Sequence, residues 1–274
     1  MEMTTNGYVK QYPIEKTIYQ CDATKRSFYR VKLPQLGLYY GLKEIEASDS
    51  RAVKEIKNEI IALNRLPFGI AAKCHHHWRE GNKHYLLMDW IEGTPLNEYV
   101  PSAPKNRREL AQGLKVAEKV GWKLVELRRY NVIHRDLKPE NVIVHSDKNG
   151  NVRDVSLIDF GLSNQKRQLE EGTAHYRSPE QEFVRHASLT QASDVFSFSQ
   201  LIHYLITGAP VLLQPNFEGS DWDELVLAVP DFTPLKLKDT LSQGLQFDSR
   251  KRTKQVFSIV KALQEASKKL NSRG

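Results

Sequence analysis

The sequence predicts an α+β fold in which a small β-rich part precedes a larger, mainly helical one. Two observations carry this. Before about Asp89 the apolar residues fall in short runs rich in β-branched and aromatic side chains, and from Arg107 onward they recur at helical spacing. A third observation, the lack of any internal repeat, low-complexity stretch or second change of pattern, makes residues 1–274 one domain. Its small part covers about 1–89, a connection lies at about 89–95, and the helical part covers 96–274.

Taken in order, the strands are Thr17–Gln20, Phe28–Leu33, Leu38–Ile45, Lys73–Arg79 and His84–Asp89. Glu80-Gly81-Asn82 is the turn of a hairpin between the last two. Asp49–Leu66 interrupts them as a helix, because Ile56, Ile60, Leu63 and Leu66 share one face. The helical part contains Leu110–Arg129, Ala192–Thr207 and Lys254–Leu270.

Composition narrows the function classes. With 40% hydrophobic and 27% charged residues, the chain can build a core and is not a disordered polymer. No apolar run reaches the roughly 20 residues of a membrane span, and Met1–Lys16 is polar, so a cytoplasmic protein without a membrane partner is expected. Two cysteines, Cys21 and Cys74, do not make a disulfide framework. The net charge of +7 raises the question of nucleic acid. Basic residues are interleaved with acids along the whole chain, however, and form no stripe with aromatics, which argues against a nucleic-acid partner. His75-His76-His77 beside Cys74 invites a metal reading, but successive strand residues point to opposite faces and cannot converge on one ion. The four tryptophans read as core or connection.

The densest chemistry lies in His134-Arg135-Asp136-Leu137-Lys138-Pro139-Glu140-Asn141, followed by the apolar run Val142–Val144. Phosphoryl transfer needs an acceptor hydroxyl beside a carboxylate, a divalent metal on the phosphates and a cation near the developing charge. One short loop carrying Asp136, Lys138 and Asn141 can supply these. Asp159-Phe160-Gly161, after the mostly apolar Val155–Ile158, adds a second metal-binding carboxylate at a hairpin end.

Together these two segments resemble the catalytic loop and D-F-G signature of the eukaryotic-type (Hanks-type) Ser/Thr protein kinase family, and the resemblance extends over nearly the whole chain. It implies the bilobal protein kinase fold and an enzyme that moves the γ-phosphoryl group of ATP, with Mg2+ or Mn2+, to serine or threonine hydroxyls of protein substrates. Asp136 would orient the hydroxyl and take its proton, Lys138 would offset phosphoryl charge, and Asn141 and Asp159 would hold the metal. Lys43 in Gly41-Leu42-Lys43 stands where the family places its strand lysine, and Glu59 where it places the partner glutamate. The alternative for that pair is two solvated surface charges. Leu86–Gly93 resembles the hinge, with Met88 as gatekeeper and the backbone of Asp89 and Ile91 reading adenine. Val31, Gly41 and Ile143 would sandwich the ring, and they read equally as ordinary core.

Gly172–Glu180 resembles the substrate-docking segment, Ser178 replacing an alanine. Thr173 with Lys138 gives the Ser/Thr pattern. His134 and Arg135 flank the catalytic aspartate and Phe160 follows Asp159. Asp194 resembles the aspartate that braces the catalytic loop, and Arg252 the arginine paired with Glu180.

The chain departs from the family in one place. No glycine occurs between Gly7 and Gly37, and Thr24–Val31 stands where the family has its Gly-rich loop. Lys25, Arg26 or the Ser27 hydroxyl is expected to hold phosphate there instead. Two alternatives stay open, a pseudokinase acting as nucleotide-binding scaffold or regulator and a small-molecule kinase. The complete set Lys43, Asp136, Asn141 and Asp159 argues for activity over the first, and the docking segment argues against the second.

Asn164–Gly172 contains no serine, threonine or tyrosine. Glu170 or Glu171 is therefore expected to pair with Arg135 in place of a phosphorylated residue, the bland alternative being two solvated loop charges. Ser163 and Thr173 are the candidate autophosphorylation sites.

Overall fold

The computed structural model describes residues 12–47, 50–67, 69–163, 170–183, 188–216, 218–253 and 255–271. The chain divides into two compact units, Met1–Glu92 and Gly93–Gly274.

Among its described residues, the first unit is a five-stranded antiparallel sheet with one helix. Its strands are β1 (Ile14–Cys21), β2 (Arg26–Leu33), β3 (Leu38–Glu46), β4 (Cys74–Glu80) and β5 (Lys83–Asp89), in the order β1-β2-β3-β5-β4. The helix α1 (Ser50–Arg65) follows β3. Strand alternation separates two faces. Val31, Leu42, Trp78, Tyr85 and Leu87 cluster on one, covered by Tyr12, Tyr29 and Tyr40. Gly41, Lys43, Ile45, Leu86 and Met88 occupy the other, in register with one another across β3 and β5. Helix α1 lies on this second face and buries Ile56, Glu59, Ala62 and Leu63.

The histidines of β4 turn to three different partners. A bulge between Cys74 and His76 breaks the alternation. His75 turns to Asp89 at 2.6 Å and His76 lies against Trp78. His77 stacks on His84, with Nε2 3.0 Å from its Nδ1. Among the described residues no group of three or more His, Cys, Asp or Glu is arranged to hold a metal. Cys21 and Cys74 are free, and burial and the nearby Glu59 charge push the Cys74 thiol up to about 11.

The second unit contains β6 (Thr94–Pro95), α2 (Leu96–Tyr99), α3 (Arg107–Arg129), β7 (Val142–Ser146), β8 (Val152–Leu157), α4 (Pro179–Glu182), α5 (Gln191–Thr207), α6 (Leu235–Gly244) and α7 (Val256–Asn271). Strands β6, β7 and β8 form a small sheet in that order. Asn106 starts α3 by accepting from the Glu109 amide at 3.0 Å, and Thr190 caps α5 in the same way through Ala192. Helix α5 is apolar almost all round, with both phenylalanines, Val195, Leu201, Ile202, Leu205 and Ile206 buried, so it is the central core helix. Trp78 joins a core, but Trp122 lies on the surface against Phe257, which corrects its assignment to core or connection. Among the described residues no helix is long and apolar enough to cross a membrane.

Candidate active site

In the first unit the Lys43 ammonium donates to Glu59 Oε1 at 2.6 Å, with both side chains at 7% exposure or less. Strand β3 presents Lys43 toward α1 because Gly41, Lys43 and Ile45 share that face. Glu59 meets it from the buried stripe of α1 that also carries Ile56 and Leu63. The pair is therefore fixed in the interior, not solvated.

The β1–β2 connection is the tight turn Asp22–Lys25, with Lys25 at φ 52. Lys25 pairs with Glu46 at 2.9 Å and Arg26 with Glu55 at 3.3 Å, both contacts partly exposed and correspondingly weak. Two of the sequence assignments are corrected here. Ser27 stands opposite Glu44, and Val31 opposite Tyr40, so both point away from the Lys43 face. Val31 is fully buried in the Leu42–Trp78 cluster and Ser27 is 6% exposed, and neither can touch a ligand beside Lys43. The β2 residues on that face are Phe28, opposite Lys43, and Arg30, opposite Gly41. Counting back from the short turn between Leu33 and Leu38 would have given this register. Met88 is buried on the Lys43 face, and Asp89 ends β5, where its carboxylate accepts from the Lys73 amide at 2.8 Å. Ile91 follows as part of the chain leaving the sheet.

In the second unit the catalytic-loop segment hangs between two anchors. Asp194, at the start of α5, accepts from the His134 and Arg135 amides, each at 2.9 Å. Burial pushes its carboxyl upward in pKa, opposed by His134, Arg135 and those two amides. The His134 ring donates to the Ile158 carbonyl at 3.1 Å and packs on Phe160 at 4.7 Å. Asn141 closes the 3-10 turn Pro139–Asn141 directly before β7, and Asp159 follows β8 by two residues. The register Val142↔Leu157 and the Ile158 amide on the Asn141 carbonyl (3.0 Å) place these two oxygen-bearing residues at one end of the hairpin. Arg135 (φ 71) and Asp159 (φ 61) adopt backbone conformations that non-glycine residues rarely hold, as functional loops often require.

Around Asp136 the contacts close. Thr173 donates to its Oδ1 from both the amide and the hydroxyl, each at 2.8 Å. Lys138 Nζ donates to the Thr173 hydroxyl at 2.8 Å and lies 3.7 Å from Asp136 Oδ2. Asn141 Nδ2 donates to the Asp136 carbonyl at 2.8 Å, which leaves its amide oxygen as the atom available to a cation. Carboxylate and amide oxygens from Asp159 and Asn141 fit a hard divalent cation that keeps waters and shares phosphate oxygens, the habit of Mg2+.

Of the two loop acids, Glu171 takes the arginine. Arg135 reaches Glu171 Oε1 through Nη2 at 2.6 Å and Nε at 2.9 Å, and donates from Nη1 to the Leu162 carbonyl at 2.7 Å. Glu170 instead accepts from Arg177 through its backbone carbonyl. Between Glu171 and Thr173, Gly172 sits at φ 86, and a Cβ there would meet the Arg135 carbonyl at 3.0 Å, so only glycine fits without shift. Gln181, unmarked in the sequence, donates to the Arg135 carbonyl at 2.7 Å and accepts from Ser178 N at 3.0 Å. Glu180 and Arg252 form a bidentate buried pair, both contacts 2.7 Å, with Ser193 also donating to Glu180. Ser163 is fully buried and donates to the Ile133 carbonyl, so it is no accessible phosphorylation site. Ile143 is 8% exposed in β7.

The sheet-and-helix unit and the mainly helical unit have the construction of the protein kinase fold, α+β in class. The family model for the protein kinase domain matches residues 27–265, and the chain belongs to that family. It is 26% identical over 234 residues to an Aurora kinase of Schizosaccharomyces pombe, covering 82% of this chain and 63% of that protein. Calcium-dependent protein kinase 4 of Plasmodium falciparum is 26% identical over 215 residues (73% of this chain, 39% of that protein). Serine/threonine-protein kinase PrkC of Bacillus subtilis is 25% identical over 170 residues (59% and 25%). The chain thus spans less than two thirds of the length of each of these relatives.

Proposed function

We propose that this protein is an ATP-dependent protein kinase that transfers the γ-phosphoryl group to serine or threonine hydroxyls of protein substrates. The observation that carries this reading is the closed triangle of Asp136, Lys138 and Thr173, which holds a carboxylate and a cation ready beside an acceptor hydroxyl. A serine/threonine-protein kinase is also among the named relatives.

Each residue has a task. Lys43, fixed by Glu59, orients the α- and β-phosphates. The backbone of Asp89 and Ile91, with Met88 and Ile143, takes the adenine. Asn141 and Asp159 would hold Mg2+ or Mn2+, which when bound neutralises the β- and γ-phosphate charge. Asp136 accepts a hydrogen bond from the substrate hydroxyl and takes its proton as the oxygen bonds to the γ-phosphorus and ADP departs. Lys138 sits against the transferring phosphoryl group. Glu171 supplies Arg135 with the negative charge that a phosphorylated residue would otherwise bring, so the segment is held without modification.

One observation favours a second reading, a pseudokinase. Lys25 and Arg26 are engaged with acids at the turn where phosphate binding was expected. The deciding experiment incubates pure protein with labelled ATP, metal and a generic basic protein, beside Asp136→Asn. Label with wild type alone supports the kinase. ATP-dependent thermal stabilisation without label supports the pseudokinase, and label found only on small metabolites would sink the protein-kinase reading.

A further inference from the structure

Correcting Val31 leaves the Lys43 face without the aliphatic residue expected to cover a base, and shows what occupies that place. Phe28 stands directly opposite Lys43 on β2 and is half-buried. Its ring leans two residues along the face onto Gly41. A Cβ built on Gly41 would lie 2.6 Å from Phe28 Cζ and 3.2 Å from Met88 Cγ. The ring can therefore rest there only because residue 41 has no side chain. Neighbouring rings fix its plane: Tyr19 stacks at 6.2 Å with 23° between planes, and Trp90 at 6.3 Å with 20°. Arg30, the next β2 residue on the face, lies over Tyr39 at 4.7 Å and Trp90 at 5.6 Å.

We propose that Phe28 is the stacking platform for the nucleobase, with Gly41 as the notch that admits it, and this rests on the nucleotide-binding reading above. A planar heteroaromatic base whose phosphates reach Lys43 finds on this face a flat, partly exposed ring held by Tyr19 and Trp90. Stacking on an aromatic side chain accepts any such base, because every base has a π-face to offer.

The test measures equilibrium affinities of ATP and inorganic tripolyphosphate for wild type, Phe28→Ala, Phe28→Leu, Phe28→Trp and Gly41→Ala, with thermal unfolding to verify folding. The expected result is ATP affinity weakened about tenfold or more in Phe28→Ala and Phe28→Leu, near wild type in Phe28→Trp, and tripolyphosphate affinity unchanged throughout. Gly41→Ala should lower ATP affinity similarly, and the Phe28→Ala/Gly41→Ala double variant should be no worse than either single one. In turnover the loss should fall on KM and leave kcat nearly intact. Phe28→Ala binding ATP as tightly as wild type, or more tightly, would show the ring to be a bystander or a plug and overturn the proposal. Wild type binding tripolyphosphate as well as ATP would overturn it too. Wild type binding neither would bring down the nucleotide reading itself, and the platform with it.

Discussion

Glu171→Gln isolates the electrostatic hold on the activation segment, because it keeps shape and removes only charge. Arg135 and Glu171 are each about 5% exposed, at 5% and 4%, and meet through two hydrogen bonds of 2.6 and 2.9 Å. Removing one partner of a buried ion pair costs about 3–5 kcal/mol, since the other charge stays buried. The glutamine oxygen still accepts from the guanidinium, which returns about 1 kcal/mol, and the Leu162 carbonyl bond persists. The net cost is then about 2–4 kcal/mol. Gly172 and Thr173 follow immediately, and Thr173 is bonded to Asp136, so opening of this segment removes the Thr173 contacts from the Asp136 carboxylate, the proposed proton acceptor. At about 1.4 kcal/mol per tenfold, the ratio of ordered to open segment should fall about 30-fold or more, and turnover should fall with the ordered fraction wherever opening precedes global unfolding. Where the pair instead holds the whole unit, the melting point should drop by at least about 4 °C. Glu170→Gln is the control, because Glu170 contributes backbone contacts. If Glu171→Gln matches Glu170→Gln in both turnover and melting point, the arginine clamp has no functional weight and the reasoning fails.

Asp159→Ala should abolish phosphoryl transfer while circular dichroism and the melting curve stay near wild type, because Asp159 is exposed at the hairpin end; wild-type turnover would remove the metal assignment. Lys43→Met should leave Glu59 buried without its cation, so both turnover and stability fall, and Glu59→Gln should lose turnover with a smaller drop in melting point. Arg252→Met should destabilise the second unit by about 3–5 kcal/mol in denaturant titration, because the Glu180 carboxylate remains buried. The His203 imidazole is held below its ordinary pKa by burial, despite the Ala209 carbonyl that accepts from its Nδ1. The unfolded chain therefore binds more protons, so this contribution is full above the unfolded value of about 6.5 and is lost as pH falls through the folded one. The stability gap between wild type and His203→Gln, measured by urea unfolding, should narrow from pH 7.5 to 5, and a constant gap would contradict it.

The elements with clear periodicity were legible in the sequence because their patterns have local causes. The β4–β5 hairpin follows from Glu80-Gly81-Asn82, and α1 from the spacing of Ile56, Ile60, Leu63 and Leu66. Helix α6 and the short α4 escaped because four to ten residues carry too few apolar repeats to show a period. The motif residues of the second unit could be named because the contacts that gather Asp136, Lys138 and Asn141 lie within one loop. Gln181 could not, since its value lies in a bond to a carbonyl 46 residues away, which no residue type announces.

The sharpest misplacement, Val31 and Ser27 on the Lys43 face, has a single physical cause. Side chains alternate with period two, so a one-residue error in aligning a turn sends every side chain to the opposite face. An alignment anchored on a glycine motif is least secure in a chain whose turn has no glycines. The hairpin itself carried the better anchor: the short Pro34–Gly37 turn sets Leu33 against Leu38, and the register then runs unbroken to Phe28 opposite Lys43. With that register, Gly41 ceases to be a neutral small residue and becomes the space that an aromatic ring requires. A missing side chain on β3 and an added ring on β2 are one structural feature written at two distant positions. Substituting either alone should therefore do the same damage.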